Sequence, residues 1–252
     1  MTTKTYKELN KAVGKALREY KMISGGDRIL VGLSGGFDSL ALMKILSERL
    51  SHVPINYKLF PVHIDPGFKD GYSDSLEKYC EKEGYNVRIE FTNYGILGHS
   101  SQNRENPCFL CSRLRRKRLF EIADEFGCSK IALGHNKDDI IETLFLNMCY
   151  AGEISTMVPL QSLFKGKLTL IRPLSFADKD IIKKFAKEQN FPNFINNCPT
   201  AKISKRSEIK SILNQLYKSN RKVKGNLFRA LGHVKLEYLL TGNLINLESA
   251  HK

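Results

Sequence analysis

Ile29-Leu30-Val31-Gly32-Leu33-Ser34-Gly35-Gly36-Phe37-Asp38-Ser39 decides the fold. An apolar run with strand character enters a glycine-rich turn and leaves it as a helix. Gly35 and Gly36 open backbone angles closed to other residues, so successive N–H groups can converge on an anion at the N-terminus of a helix beginning near Asp38. Ser34 and Ser39 add hydroxyl donors, and Asp38 can hold a magnesium ion against phosphates. The run lacks the lysine of the nucleoside-triphosphatase P-loop and the third glycine of the dinucleotide fingerprint, so neither of those sites fits.

Outward from this loop, Leu9, Val13, Leu17 and Tyr20 fall at helical spacing and predict an amphipathic helix over 6–21. Strand and helix then alternate. Strands are predicted over 28–33, 57–64, 86–92, 129–134 and 168–172, and helices over 39–51, 73–83, 113–126, 138–150 and 178–189. That order predicts an α/β fold, a doubly wound and mainly parallel sheet with helices on both faces and ligands beyond the carboxyl ends of the strands. The polar stretch 93–112 has no periodicity and reads as a long functional loop. Three parts follow: an N-terminal helix at 1–24, a loop-bearing α/β domain at 25–200 with an insertion at about 93–112, and a basic helical extension at 201–252.

The chain has 252 residues and a formal charge of +14, which favours a polyanionic partner, nucleic acid being the natural one. From Lys202 to Lys235 basic residues dominate, Glu208 is the only acidic side chain, and Ile209, Leu213 and Leu216 keep a helical stripe. Residues 1–7 have no apolar core of the kind a secretion signal needs, and no stretch approaches a membrane span, so a cytoplasmic protein is expected. The six cysteines are then free thiols, metal ligands or catalytic groups.

Cys108-Phe109-Leu110-Cys111 closes the predicted loop and precedes a helix read as starting at Ser112, whose N-terminus lowers the thiol pKa values. Two thiolates reach one metal or cluster, and Cys198, in the turn-forming Asn196-Asn197-Cys198-Pro199, is the best third ligand. Three cysteines fit an iron–sulfur cluster with one open iron, or a zinc site with an open position; a redox pair is a third reading. Cys80, Cys128 and Cys149 fall in or at the ends of predicted helices and read as small apolar residues. A second strand–Gly–turn–helix unit runs from Ile131 to Met148, with Gly134 and His135 at its strand end. Its Asp138 and Asp139 read either as helix capping or as the rim of a nucleotide–magnesium site.

The Ser34–Ser39 loop resembles the pyrophosphate loop of the ATP pyrophosphatase (PP-loop) superfamily. Together with Cys108-Phe109-Leu110-Cys111-Ser112-Arg113-Leu114-Arg115-Arg116 and the Gly134–Met148 block, it resembles the tRNA 2-thiocytidine synthetase (TtcA) family. Pro54-Ile55-Asn56, Tyr94-Gly95-Ile96 and Ile171-Arg172-Pro173-Leu174 add to the likeness, which spans residues 6–200 in collinear order. The resemblance implies an adenine nucleotide alpha hydrolase-like fold and a tRNA sulfurtransferase. That activity uses ATP to adenylate the C2 oxygen of cytidine 32 in the anticodon loop, releases pyrophosphate and replaces the oxygen by sulfur.

It implies ATP, Mg2+ and a [4Fe-4S] cluster whose open iron presents the sulfur. Ser34, Gly35, Gly36, Asp38 and Ser39 would bind the phosphates, with His63, Asp65, Gly134 and His135 beside the adenosine. Cys108, Cys111 and Cys198 would hold the cluster; Asp38, Asp138, Asp139 and Arg115 are the catalytic candidates, and Arg116 is a second cation beside Arg115. The implied partners are tRNA, a sulfur donor (a cysteine desulfurase persulfide or free sulfide) and a second copy of the chain, which an exposed amphipathic N-terminal helix would suit. Thiolation of another nucleotide of the 2-thiouridine type, or of an acceptor other than RNA, is the close rival. A non-catalytic iron–sulfur or zinc RNA-binding sensor is the rival from another class.

Overall fold

A computed structural model describes residues 3–195, 197–200 and 204–239. Within them the chain divides into two compact units, Met1–Ile209 and Lys210–Lys252. The expected extension 201–252 thus lies partly outside the described residues, at 201–203 and 240–252.

The first unit holds a six-stranded sheet of β1 (Arg28–Gly32), β2 (Lys58–Asp65), β3 (Arg88–Phe91), β4 (Lys130–Ala132), β5 (Leu160–Leu163) and β6 (Leu168–Ile171). Its order is β3-β2-β1-β4-β6-β5, parallel throughout except for the β5–β6 pair. The chain runs outward from β1 to β3 and returns to β4 on the other side of β1. The crevice between the carboxyl ends of β1 and β4 is therefore the topological switch point, where ligands of such sheets bind.

Strand alternation divides the core. Ile29 and Val31 of β1 join one buried cluster with residues of α1 (Lys4–Glu19), α2 (Phe37–Arg49), α3 (Ser73–Lys82) and α7 (Lys179–Glu188). Leu30 points the other way, to a cluster with Ile122 and Ala123 of α5 (Pro107–Glu125). Helix α1 is capped by Thr3, whose hydroxyl accepts from the Tyr6 N–H at 3.1 Å, and the Thr3 and Thr5 hydroxyls each donate to Glu188 at 2.6 Å. Its apolar face, Leu9, Val13 and Ala16, is wholly buried. The argument for a second copy from an exposed N-terminal helix is thereby corrected, because that face is occupied within the chain.

Three further expectations are corrected. The edge strand β5 was missed because Gln161 and Ser162 are exposed, so the run has neither alternation nor an apolar core. The stretch 93–112 is not one loop: it contains α4 (Tyr94–Gly98) and the first turn of α5. Gly98 lets the two helices touch, since a Cβ there would lie 2.9 Å from the Pro107 carbonyl oxygen. Helix α5 begins at Pro107, not Ser112. Asn106 caps it, its Oδ1 accepting from Cys108 and Phe109 N–H groups at 3.0 and 3.3 Å, and proline suits the first helical position. The remaining boundaries differ by no more than two residues, as helix and strand ends do.

Helix α6 (Lys137–Tyr150) carries Glu142, which pairs at 3.7 Å with Arg206 of α8 (Lys205–Ser219). In the second unit α9 (Val223–Ala230) follows, and Lys224 lies 5.0 Å over the Tyr217 ring. Among the described residues no helix is long and apolar enough to cross a membrane.

Phe185 is fully buried between Tyr6 and Phe191, with ring centroids 6.2 and 5.7 Å away. Phe185→Ala should cost about 3–5 kcal/mol of stability, read as a lower urea midpoint at unchanged slope.

Candidate active site

Two strand–turn–helix units meet at the switch point. The first is the glycine loop between β1 and α2. Gly35 has φ +74°, and a Cβ there would lie 2.6 Å from the Tyr72 ring, so both its conformation and its contact require glycine. The Tyr72 hydroxyl donates to the Ser34 carbonyl at 2.6 Å. The Ser39 hydroxyl closes the loop on itself, accepting from the Ser34 N–H at 3.1 Å and donating to the Gly36 carbonyl at 2.9 Å.

The second unit joins β4 to α6. Gly134 lies against the start of α2, where a Cβ would sit 3.0 Å from the Ser39 nitrogen. Asn136, fully buried, caps α6 by accepting from the Asp138 and Asp139 N–H groups at 2.9 and 3.2 Å. Its own N–H donates to Asp139 Oδ2 at 3.0 Å, completing a capping box. Its side-chain amide donates to Asp38 Oδ1 at 2.9 Å, so one asparagine ties both turns together.

Between them lies a cavity of about 290 Å3 lined by Ser34, Asp38, Ser39, Gly134, His135, Asp139 and Arg115, with Leu33, Val62, Ile64, Leu119 and Leu133 as its apolar wall. Most predicted loop and second-motif residues converge here. His63 and Asp65 do not line this cavity. His63 is buried with Nδ1 2.7 Å from the Leu33 carbonyl, so that nitrogen carries the hydrogen and the ring braces the loop from behind. Asp65 accepts from the Gly67 N–H at 2.7 Å and from the Ser73 hydroxyl, fixing the turn before α3.

Burial raises the Asp38 carboxyl above its ordinary range, Lys179 at 3.8 Å pulls it back, and Asp139 and Asp138 push it up. Burial disfavours the Lys179 ammonium, but Asp38, Asp139, Glu142 and Asp138 outweigh it and hold its pKa above the usual value. Asp138 Oδ2 also accepts the Lys179 N–H at 2.9 Å. His135 is pushed down to about 4, first by burial and then by Arg172, so the ring is neutral at pH 7; its Nδ1 is buried with no hydrogen-bond partner among the described residues. Arg172 is 5% exposed, and donates from Nη1 to the Val158 carbonyl at 2.6 Å while its Nε lacks a partner among the described residues. Burial and the neighbouring Arg116 push it down to about 10.

Arg115 connects this cavity to the cysteines. It stands one helical turn after Cys111, its Nε is buried without a partner among the described residues, and its charge opposes the rise that burial imposes on the pKa of both Cys111 and Tyr72. Cys108 and Cys111 occupy the first turn of α5. Cys198 is brought to them by Asn197, whose amide donates to the Asp70 carbonyl at 2.6 Å. The Thr200 Oγ1 lies 3.2 Å from the Cys108 sulfur and 3.5 Å from the Cys198 sulfur, so those sulfurs are separated by no more than the sum of the two distances. The Cys111 pKa is raised: burial is the largest cause, Arg115 pulls it back, and Cys198 and Cys108 add to the rise, so the lowering expected from the helix N-terminus does not prevail. Among the described residues no group of three or more His, Cys, Asp or Glu is placed to hold a single metal ion. Cys80 and Cys128 are buried, burial pushing each thiol up to about 11, whereas Cys149 is exposed, contrary to its reading as a small apolar residue of the interior.

Asn136, Lys179, Tyr72, His99 and Thr200 were not singled out from sequence. Only Asn136 carried a signal, an asparagine at a cap with an acidic residue three positions on.

The PP-loop domain family matches residues 1–216 of the chain. The tRNA-cytidine(32) 2-sulfurtransferase of Geobacter sulfurreducens is 38% identical over 239 residues, covering 93% of each chain, and that of Geotalea daltonii is 36% identical over 243 residues, covering 95% of this chain and 96% of the relative. Among solved structures, the U34-tRNA thiolase of Methanococcus maripaludis with its [4Fe-4S] cluster aligns at a TM-score of 0.75 and 26% identity, over 93% of this chain and 80% of that one. An NH3-dependent NAD synthetase from Campylobacter jejuni, 18% identical at a TM-score of 0.51 over 94% of this chain and 95% of that one, shares the fold. These matches reach past residue 200, where the motif resemblance stopped.

Because unfolded histidine titrates near pH 6.5 and His135 near 4, the unfolded chain binds the proton first as pH falls. Stability should therefore decline between about pH 6.5 and 4, and His135→Asn should flatten that part of the pH dependence in urea titrations.

Proposed function

The chain belongs to the PP-loop domain family, and from that premise we propose that it is a tRNA-cytidine(32) 2-sulfurtransferase. The observation that carries this reading is Arg115, which lines the nucleotide-sized cavity at the switch point and also acts on Cys111. Activation and sulfur delivery thus adjoin along one helix.

ATP enters the cavity with its phosphates against the Ser34–Ser39 loop. The loop N–H groups and the Ser34 and Ser39 hydroxyls receive them, while Gly134 and His135 bound the other side. Neutral His135 accepts or donates a single hydrogen bond without repelling a cationic neighbour. Asp38 would hold a magnesium ion, which would offset charge on the phosphates. Asp138 and Asp139 act electrostatically, one oxygen of each being engaged in fixing α7 and α6 respectively.

The C2 oxygen of the cytidine attacks the α-phosphorus, the bond to the β-phosphate oxygen breaks and pyrophosphate leaves. Lys179, Arg115 and the loop donors offset the charge that develops. The base is now joined to AMP through its former carbonyl oxygen, and replacement by sulfur expels AMP together with that oxygen. Free sulfide accomplishes this with no change in oxidation state; a persulfide donor requires two electrons besides.

Three soft thiols suit an iron–sulfur group. Zinc needs all its ligands around one point about 2.3 Å away, whereas each thiolate of a [4Fe-4S] cluster binds a different iron and needs wider spacing. Cys108, Cys111 and Cys198 would hold it. When bound it supplies one iron without a protein ligand, on which sulfur can be held. In the second unit Lys218, Arg221, Lys222, Lys224, Arg229 and Lys235 offer tRNA phosphates a run of cations. Arg206 serves a different purpose, since it is engaged with Glu142 and Thr143.

The 26% identity to a U34-tRNA thiolase favours one second reading, the same chemistry on a 2-thiouridine position. Mass spectrometry of tRNA nucleosides after reaction separates them, cytidine 32 gaining sulfur under the first reading and uridine 34 under the second.

Asp38→Asn should leave iron and sulfide content unchanged and reduce tRNA-dependent AMP release by at least about 100-fold, the scale of losing one preorganised electrostatic contact. Ala at Cys108, Cys111 or Cys198 should abolish thiolation and remove iron and sulfide while ATP still binds. Full activity of the triple variant, or stoichiometric zinc without sulfide in the native protein, would overturn the cluster reading.

A further inference from the structure

Thr200 and His99 have no part in the reading above, yet they organise its thiols. The His99 Nδ1 lies 2.9 Å from the Gly95 carbonyl oxygen, which can only accept, so the hydrogen of the neutral ring is on Nδ1. Nε2 is then an acceptor, and it lies 3.2 Å from the Thr200 Oγ1. Thr200 therefore donates its one hydroxyl hydrogen to His99. Its two lone pairs face the Cys108 sulfur at 3.2 Å and the Cys198 sulfur at 3.5 Å. A hydroxyl with one hydrogen and two acceptor sites is matched to three neighbours.

The match changes on ligation. Metal-bound cysteine carries no hydrogen, so a thiolate interacts with Thr200 only by accepting its hydroxyl hydrogen. His99 and the sulfurs then compete for that one hydrogen. Hydrogen bonds to ligating sulfurs stabilise the more negative, reduced state of an iron–sulfur group and so raise its potential, and outer partners of this kind also orient the ligands. His99 is itself held by its Gly95 contact and by an edge-on Phe68 ring at 5.6 Å, so its grip on Thr200 is fixed by α4.

We propose that Thr200 and His99 are a positioning pair for the cysteine site: Thr200 sets the separation of Cys108 and Cys198 and donates to their thiolates, and His99 limits that donation. The proposal rests on the cluster-dependent reading.

The test uses the full-length protein purified anaerobically, with iron and sulfide analysis and a spectroscopic redox titration of the wild type, Thr200→Val, Thr200→Ser and His99→Phe. A wild type lacking iron and sulfide would overturn the cluster reading itself. With the cluster present, Thr200→Val should shift the midpoint potential negative, Thr200→Ser should restore it, and His99→Phe, by freeing the hydroxyl hydrogen for sulfur, should shift it positive. Opposite shifts are not produced by loosened packing alone. Cluster loss in the Val variant with retention in the Ser variant also supports the pair. Wild-type potentials in all three variants would overturn it, as would cluster loss in the Ser variant with retention in the Val variant, which assigns the effect to the methyl group. More iron in Thr200→Val than in wild type would overturn it too, since the hydroxyl would then be occupying space that iron takes.

Discussion

The site depends on how closely two turns approach at the switch point between β1 and β4. Gly134 brings the second turn against the backbone of Ser39, and Asn136 uses its amide on Asp38 while its oxygen caps α6. Each contact is available only if the sheet sets the two strand ends side by side, which the β1–β4 register does. The cap of one helix is thereby coupled to a carboxylate on another. A buried asparagine with several partners has few alternative arrangements, and this rigidity aims the loop N–H groups before any ligand arrives.

Charge is sorted around the cavity. Asp38, Asp138, Asp139 and Glu142 act on Lys179, while Arg116 acts on Arg172 and both act on the neutral His135. The carboxylates attract a hydrated cation and the guanidinium groups attract phosphate. The field of the site thus favours a cation at the carboxylates and an anion at the guanidinium groups.

Much of this was legible in the sequence because it is local. The apolar run and glycines of 29–39 dictate strand, turn and helix, and the same grammar recurs at 131–148. What was not legible depends on partners remote in the chain. Nothing near His63 shows that its ring will face the Leu33 carbonyl, and nothing near Thr200 shows two thiols and an imidazole around its hydroxyl. The start of α5 was a different kind of miss. Asn106-Pro107 is a cap followed by a favoured first residue, but the polar composition around it resembled a loop, so the helix was begun five residues late. Strand β5 is held by its antiparallel neighbour rather than by its own pattern, and edge strands of that sort carry little periodic signal.

Thr200 stands 92 residues along the chain from Cys108, and both sit at one point in space. Strands β4, β5 and β6 and helices α6 and α7 all lie within that span. Anything that fastens the thiols to one another acts as a clasp around half of the sheet, restricting the unfolded chain as a covalent crosslink does. Its loss would release the first turn of α5, the part of a helix most prone to fray, so whatever fastens the thiols also governs local unfolding there.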